Sequence, residues 1–243
     1  MKVEFSTSVS DKWGGPMMFE DRVDAGKKLA TRLNHLKNES LVVLGLPRGG
    51  VPVAYQVARE LDAPLDVIVV RKLGVPFQPE LAMGSIGEGG VLIRNSEILG
   101  RTGVSEREFS AVEEKERNEL DRRVHRFRAN RPRIDLEGRT AVIIDDGIAT
   151  GSTALAACQV ARAQGAARVV LAVPVAPPDW KTRFDGYADE LISLETPEPF
   201  WAIGQFYDNF NQTSDDEVLS YLQRPYLQRS HLERSAQSNT TMS

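Results

Sequence analysis

The sequence predicts an α/β protein with a Rossmann-like, mostly parallel sheet and helices on both of its faces. Helical segments separate most of the strand-like runs in the chain. These runs are continuously apolar and β-branched, as is typical of strands buried on both faces. The runs are LVVLGL (41–46), LDVIVV (65–70), TAVIID (140–145), RVVLAVPV (168–175) and DELISL (189–194).

Composition restricts the classes of function. The 243 residues suffice for one sizeable α/β domain or two small ones, and a net charge of −4 gives no general attraction to nucleic acid or anionic membranes. Cys158 is the single cysteine, which excludes an intramolecular disulfide, and its Ala-rich surroundings indicate a buried residue rather than a nucleophile. The start of the chain lacks the apolar core of a signal peptide, and no apolar run approaches membrane length. We therefore expect a cytoplasmic protein without membrane or nucleic-acid partners.

The remaining elements are assigned in chain order. Helices are predicted over 19–33, 51–61, 105–129 and 152–165, and a β-hairpin over 85–93 with its turn at Gly89–Gly90. The helix over 105–129 opens with a capping box, Ser105 and Glu108. Its mixed charges are compatible with a solvated amphipathic helix or with a partner surface. From about Gln223 the polar chain predicts a disordered tail over 223–243.

Unusual residues follow three of the predicted strands. In parallel sheets, ligands bind beyond the carboxyl ends of the strands, so these residues are expected to converge on one site. They are Pro47, Arg48, Gly49 and Gly50 after the first strand, Arg71 and Lys72 after the second, and Asp145 and Asp146 after the third.

The loop GIATGST (147–153) has the composition of a phosphate site at the start of a helix. Gly147 and Gly151 permit close backbone approaches, and the backbone N–H groups with the hydroxyls of Thr150, Ser152 and Thr153 can surround a phosphate. The loop lacks the lysine of a P-loop and the spacing of a dinucleotide motif. A monophosphate is therefore the expected ligand.

Two consecutive carboxylates before such a loop require a ligand with hydroxyls as well as phosphate. Ionised Asp145 and Asp146 can accept hydrogen bonds from a vicinal diol, so a sugar phosphate fits both halves of the stretch. An acidic strand-to-helix turn without a ligand is the alternative, and it does not explain the loop.

The stretch VIIDDGIATGST resembles the signature of the type I phosphoribosyltransferases, which bind 5-phosphoribosyl-1-pyrophosphate (PRPP). The similarity covers roughly residues 40–210. The resemblance implies that Asp145 and Asp146 contact the ribose hydroxyls. It also implies a single domain over 1–222, with a core at about 40–195 and a small C-terminal hood at about 196–222. The residues implied for the 5′-phosphate are Ala149, Thr150, Gly151, Ser152 and Thr153.

Two further stretches resemble the pyrophosphate side of that site. GLPRGGVPVA (45–54) is similar to the family's pyrophosphate loop, which implies a cis Pro47–Arg48 peptide and contacts from Pro47, Arg48, Gly49 and Gly50. VVRKLG (69–74) is similar to the Arg-Lys pair of the family, here Arg71 and Lys72, although a solvated pair at a strand end is a rival interpretation. Arg48 and Lys72 would be the catalytic cations.

The lid and the hood differ more from the family. Residues 74–90 occupy the place of the flexible lid, yet 73–93 contain no Lys, Arg or His. Charge on the leaving group would then rest on Arg48, Lys72, Mg²⁺ and Arg94, while Glu80 and Glu88 could meet a base amino group. The hood offers aromatic rings that could stack on a base or pack in the core: Phe200, Trp201, Phe206 and Tyr207.

The resemblance implies transfer of the phosphoribosyl group from PRPP to a nitrogenous acceptor by a homodimer. Mg²⁺ is the expected cofactor, held mainly by substrate oxygens, with Asp145 and Asp146 as candidate protein ligands. Ala149 stands where the 6-oxopurine enzymes have aspartate, which argues against hypoxanthine or guanine. A PRPP- or nucleotide-sensing regulator on the same fold is the alternative. An NAD-binding reductase is disfavoured, because the sequence lacks the glycine motif of that class.

Overall fold

A computed structural model describes residues 18–128 and 131–224. Within these ranges the chain alternates between strands and helices, as the sequence predicts. The strands are β1 Leu41–Gly45, β2 Leu65–Val67, β3 Val70–Val75, β4 Gln78–Gly87, β5 Val91–Arg94, β6 Thr140–Ile144, β7 Arg168–Val175 and β8 Glu190–Glu195. The helices are α1 Arg22–Arg32, α2 Gly50–Glu60, α3 Ser96–Thr102, α4 Glu106–Arg128, α5 Ser152–Ala163 and α6 over 215–224.

Five strands form the predicted parallel sheet, in the order β2-β1-β6-β7-β8. Successive side chains of β1 alternate between two hydrophobic clusters, with Val43 in one and Val42 and Leu44 in the other. The first cluster is completed by α1, α2, α4 and α6, and the second by α5. Both faces are therefore covered, which confirms the predicted fold class.

Cys158 lies in the second cluster and is fully buried. Burial disfavours the thiolate and raises the pKa of this thiol to about 12. The interpretation of Cys158 as a buried apolar residue is confirmed.

The apolar run over 65–70 is divided between two sheets. Its first residues form β2, whereas Val70 begins a second, antiparallel sheet in the order β3-β4-β5. The predicted hairpin is confirmed, since β4 and β5 are joined by a turn in which Gly89 and Gly90 have positive φ values of 83° and 80°.

The expectation of an irregular lid over residues 74–90 is wrong. This segment forms most of the β3–β4–β5 sheet, whose residues Leu73, Val75, Met83 and Ile86 are fully buried. Burial of these side chains in the first cluster outweighs the turn-forming tendency of the glycines and prolines around them.

Helix α4 begins at the predicted capping box and packs one face on the core. The backbone N–H of Ser105 donates to Glu108 Oε2 over 2.9 Å, and the N–H of Glu108 donates back to Ser105 Oγ over 3.3 Å. Phe109, Leu120 and Phe127 are buried on the inner face. The helix is therefore held along its whole length rather than projecting into solvent.

The C-terminal part of the described chain contains a short 3₁₀ helix, Ile203–Phe206, followed by α6. Gln223 and Arg224 belong to the end of α6, and the rest of the predicted tail lies outside the described residues. Residues 1–17 also lie outside them. Among the helices that the structure describes, none has both the length and the apolar character needed to cross a membrane.

Candidate functional site

The loops that follow β1 and β6 lie side by side. The two strands pair in parallel, with Gly45 opposite Ile144, and the N–H of Leu46 donates to the carbonyl of Ile144 over 2.9 Å. The residues after β1 and after β6 therefore meet at one edge of the sheet, as the sequence predicts.

Gly49 and Gly50 allow these loops to touch. A Cβ atom on Gly49 would lie 2.0 Å from Asp146 Oδ2, and one on Gly50 would lie 2.5 Å from the carbonyl oxygen of Ile144. Only glycine fits at this distance. The Pro47–Arg48 peptide is cis, which confirms the conformation implied for this loop.

Three hydrogen bonds hold the acidic pair, one within the pair and two from other elements. Asp145 Oδ1 accepts from the N–H of Asp146 over 2.9 Å, and the Asp146 carboxylate accepts from Arg22 Nε over 2.8 Å. The hydroxyl of Tyr207 donates to the backbone carbonyl of Asp146 over 2.6 Å. The hood and α1 thus both fix the position of the acidic pair.

Burial disfavours the ionised form of both carboxylates. It raises the pKa of Asp145 well above its ordinary value, and the neighbouring charge of Asp146 adds to the effect. The pKa of Asp146 is also raised by burial, although the attraction of Arg22 opposes the shift. A ligand that donates hydrogen bonds, or a cation, would relieve the cost of ionising both groups.

Arg22 is a residue of the site that the sequence reasoning missed. Its guanidinium lies 3.9 Å from the centre of the Phe210 ring, and Nη1 donates to the carbonyl of Asn211 over 2.7 Å. Arg22 lies on the predicted helix over 19–33, far from the motif in the chain. No local pattern around it signals a role.

The predicted phosphate loop ends at the N-terminus of α5. Gly151 adopts a left-handed conformation with φ of 80°, and Ser152 begins the helix. Arg183 was also missed by sequence reasoning. It donates to the carbonyls of Ala149 (3.0 Å) and Thr150 (3.3 Å) and thereby braces the loop from behind. Ala149, Thr150 and Thr153 are exposed at this helix start.

Of the predicted cations, Arg71 and Lys72 border a cavity of about 500 Å³ next to these loops, whereas Arg48 and the acidic pair are not among its lining residues. Its walls combine parts of both loops with the Arg-Lys pair, and they include Pro47, Arg71, Lys72, Glu80 and Thr153. We call it the main cavity. Its volume falls within the roughly 300–1,000 Å³ that small-molecule sites occupy.

Arg71 and Lys72 do not end a central strand, which corrects their predicted place. Both lie within β3, where Arg71 Nε donates to Glu116 of α4 over 2.7 Å and Lys72 Nζ lies 3.2 Å from Glu80 Oε2. The apolar run that precedes them crosses from the central sheet into the second sheet, so its end is not a strand end.

Arg94 and Glu88 are held away from the main cavity, which corrects two further expectations. Arg94 pairs with Glu106 and lies over the ring of Phe109, and the hydrogen bond that its guanidinium donates to Glu106 raises the pKa of that guanidinium. Glu88 accepts from Arg128 Nη2 over 2.7 Å. Neither side chain lines the main cavity.

The hood aromatics divide into buried and accessible rings. Phe206 and Tyr207 are buried in a third cluster with Phe19, so of the two interpretations that the sequence left open these rings follow core packing and not stacking on a base. Their apolar surface is already covered by the packing of the hood on α1. Phe200 packs partly against Phe206, and Trp201 is 65% exposed. The last two remain candidates.

Known proteins resemble this chain over most of its length. A sequence model of the phosphoribosyl transferase domain matches residues 19–211. A Mycobacterium tuberculosis protein named "Putative phosphoribosyl transferase Rv0571c" is 61% identical over 209 residues, 86% of this chain and 47% of that protein. The chain thus spans about half the length of this curated relative. The crystal structure of TT1426 from Thermus thermophilus has 42% identity and a TM-score of 0.79, covering 85% of this chain and 98% of that one.

Proposed function

The chain belongs to the type I phosphoribosyltransferase family, and from this premise we propose that it transfers the 5-phosphoribosyl group of PRPP to a nitrogenous, nucleobase-like acceptor and releases pyrophosphate. One observation carries the proposal. The loop at Pro47–Gly50 lies against the loop at Asp145–Thr153, and Pro47 and Thr153 of these loops border the main cavity together with Arg71 and Lys72.

The acidic pair and the start of α5 bind different parts of the sugar phosphate. In the proposal, Asp145 and Asp146 accept hydrogen bonds from the ribose hydroxyls, and Arg22 keeps the Asp146 carboxylate in place. The 5′-phosphate binds at the N-terminus of α5, where backbone N–H groups and the helix dipole favour an anion.

The reaction needs charge stabilisation rather than a covalent nucleophile. The acceptor nitrogen attacks C1 of the ribose while the bond from C1 to the pyrophosphate oxygen breaks, and the electron pair leaves on pyrophosphate. The acceptor loses its N–H proton to solvent. Arg48 and Lys72 stabilise the charge that grows on the leaving group. The pair that Lys72 forms with the largely exposed Glu80 is weak, so pyrophosphate can compete for the ammonium.

The donor set suits Mg²⁺ that is bound mostly by its substrate. Asp145 and Asp146 are adjacent carboxylates, and among the described residues no group of three or more His, Cys, Asp or Glu could hold a metal. Mg²⁺ binds one or two carboxylates and takes its other ligands from phosphates and water. When bound, the ion neutralises charge on pyrophosphate.

The acceptor would lie on the hood side of the site, with Trp201 and Phe200 as the rings available for stacking. Ala149 in the phosphate loop disfavours the 6-oxopurines. From the family resemblance we also propose a homodimer that works in the cytoplasm.

The test is calorimetric titration of PRPP with Mg²⁺ into wild type and Asp145→Asn/Asp146→Asn. The matched control is Asp185→Asn/Asp208→Asn, which neutralises two exposed carboxylates. We expect binding to be lost only in the first variant, and one base from a panel to release pyrophosphate. If the first variant binds PRPP as tightly as wild type does, the proposed sugar-phosphate site is refuted. Binding without turnover on any base would favour the sensing regulator.

A further inference from the structure

The leaving-group side of the proposed site has few cations on its hairpin. Residues 73–93 contain no Lys, Arg or His, and Arg94 is engaged by Glu106 and Phe109. Fixed positive charge stabilises the electron pair that leaves on pyrophosphate, and Arg48 and Lys72 are the protein cations assigned to it so far. Further protein charge beside the Pro47–Arg48 loop has to come from another element.

Helix α4 places three arginines beside that loop. They border a second cavity of about 310 Å³ that we call the arginine pocket, and its polar walls contain four arginines but one carboxylate. Its lining includes Pro47, Arg48, Arg122, Arg123, Arg126 and Asp215. Three carboxylates, Glu119, Asp215 and Asp216, pair with the four arginines, so one positive charge remains in excess. A concave site focuses the potential of such a charge on an anion.

The arginine pocket adjoins the main cavity. Pro47, Arg123 and Phe127 line both of them, so the two cavities are neighbours. An anion that extends from the main cavity past Pro47 would therefore reach the guanidinium groups of α4.

The present partners of these arginines leave donors for an anion. Arg123 Nε donates to Glu119 over 2.7 Å, and Arg126 Nε lies 2.8 Å from Asp215 Oδ2. A guanidinium carries five N–H donors, and its planar fork fits two phosphate oxygens at once. The side chains are 40% and 48% exposed, so they can turn without a large cost in packing.

The backbone that carries them is fixed. Phe109, Leu120 and Phe127 anchor α4 in the core, and Arg128 binds Asp66 and Glu88 at its C-terminal end. A rigid element presents charge to a reacting group without reorganisation. This distinguishes the helix from a merely solvated one, one of the two interpretations that the sequence allowed.

We propose that Arg123 and Arg126 of α4, together with Arg48, bind the pyrophosphate group of PRPP and supply the positive charge that the hairpin lacks. The inference rests on the proposed function. It assigns to α4 a binding role that the sequence motifs do not reveal.

Three ligands separate the parts of the site: inorganic pyrophosphate, ribose 5-phosphate and PRPP, each titrated with Mg²⁺ by calorimetry. For Arg123→Gln/Arg126→Gln we expect roughly ten- to a hundredfold weaker binding of pyrophosphate and PRPP, the range for loss of a charge-assisted hydrogen bond. Ribose 5-phosphate should bind as it does to wild type, which a misfolded variant would not do. Arg123→Lys/Arg126→Lys should restore part of the affinity, because it restores charge but not the planar fork.

The control is Arg117→Gln, on the same helix but paired with Glu113 and outside both cavities. An equal loss of affinity in this control would show that the effect comes from the overall charge of the helix and not from direct contacts. That result would overturn the proposal. Unchanged pyrophosphate and PRPP affinities in the double variant would overturn it while the transferase proposal stands. Wild type that binds neither PRPP nor ribose 5-phosphate would instead refute the proposed function itself.

Discussion

Arg22 Nε lies 2.8 Å from the Asp146 carboxylate, although 124 residues separate the two in the chain. Each side chain is only 12% exposed, so the pair is shielded from water and from salt. It fastens α1 to the loop that follows β6. The position of one carboxylate of the acidic pair therefore depends on a helix outside the motif.

We expect Arg22→Gln to destabilise the protein by about 3 kcal/mol, because it leaves a buried carboxylate without its cation. Urea unfolding measures this loss. The control is Lys28→Gln on the same helix, which breaks an exposed pair with Asp24 and should cost less than about 1 kcal/mol. Equal losses in the two variants would show that the Arg22–Asp146 pair contributes no more than a surface contact.

Gly50→Ala should destabilise the protein by about 1–3 kcal/mol through overpacking, because the new methyl would meet the backbone of Ile144 and Asp145. Backbone atoms cannot rotate away as a flexible side chain can. Gly100→Ala in α3 is the matched control, since its Cβ would have no atom within 4 Å. That change should stabilise the helix by about 0.5–1 kcal/mol. Thermal unfolding distinguishes the opposite signs, and a neutral Gly50→Ala would contradict the close approach of the loops.

Asp145→Asn should stabilise the ligand-free protein, and the gain should grow with pH. Burial and the charge of Asp146 raise the pKa of Asp145 above its ordinary value of 3.8, so the folded state keeps a proton that the unfolded state releases. The stability that the bound proton of Asp145 contributes is fully present below about pH 3.8 and is lost as the pH rises through the folded-state pKa. Asparagine stays neutral and escapes the loss.

The measurement is the difference in Tm between Asp145→Asn and wild type across that range. We expect little difference at the acid end and a plateau once wild-type Asp145 is ionised. The exposed Asp185→Asn controls for a change of net charge. A difference that shrinks as the pH rises would contradict the raised pKa.

Local patterns predicted the parts of the fold and site that depend on neighbouring residues. The buried strands are continuous apolar runs, and the loops at 47–50 and 145–153 each form within one short stretch, so both could be read from the sequence. Arg22, Arg183 and the proposed role of Arg123 could not, because they depend on contacts between distant segments. The prediction of an irregular lid was wrong because Gly74 and Pro79 favour turns, whereas burial of the apolar side chains beside them stabilises strands. Tyr207 looked like a stacking ring because burial is not visible in one sequence.

Arg128 joins three elements, and its removal should be the most costly of these changes. Its guanidinium binds Asp66 and Glu88 and donates to the carbonyl of Val67 over 3.0 Å, and the side chain is 8% exposed. Arg128→Met keeps much of the apolar stem but leaves Asp66, which is 1% exposed, without its cation. We expect a loss of about 3–5 kcal/mol in urea unfolding.

The control is Arg101→Met, which breaks an exposed pair with Glu97 and should cost less than about 1 kcal/mol. Arg128→Met/Asp66→Asn tests the cause, because neutralising the orphaned carboxylate should recover part of the stability. The same single variant should also weaken pyrophosphate binding, since Arg128 holds the end of the helix that carries Arg123 and Arg126. Full stability in Arg128→Met would show that packing alone positions α4, and unchanged stability on adding Asp66→Asn would exclude a buried charge as the source of the loss.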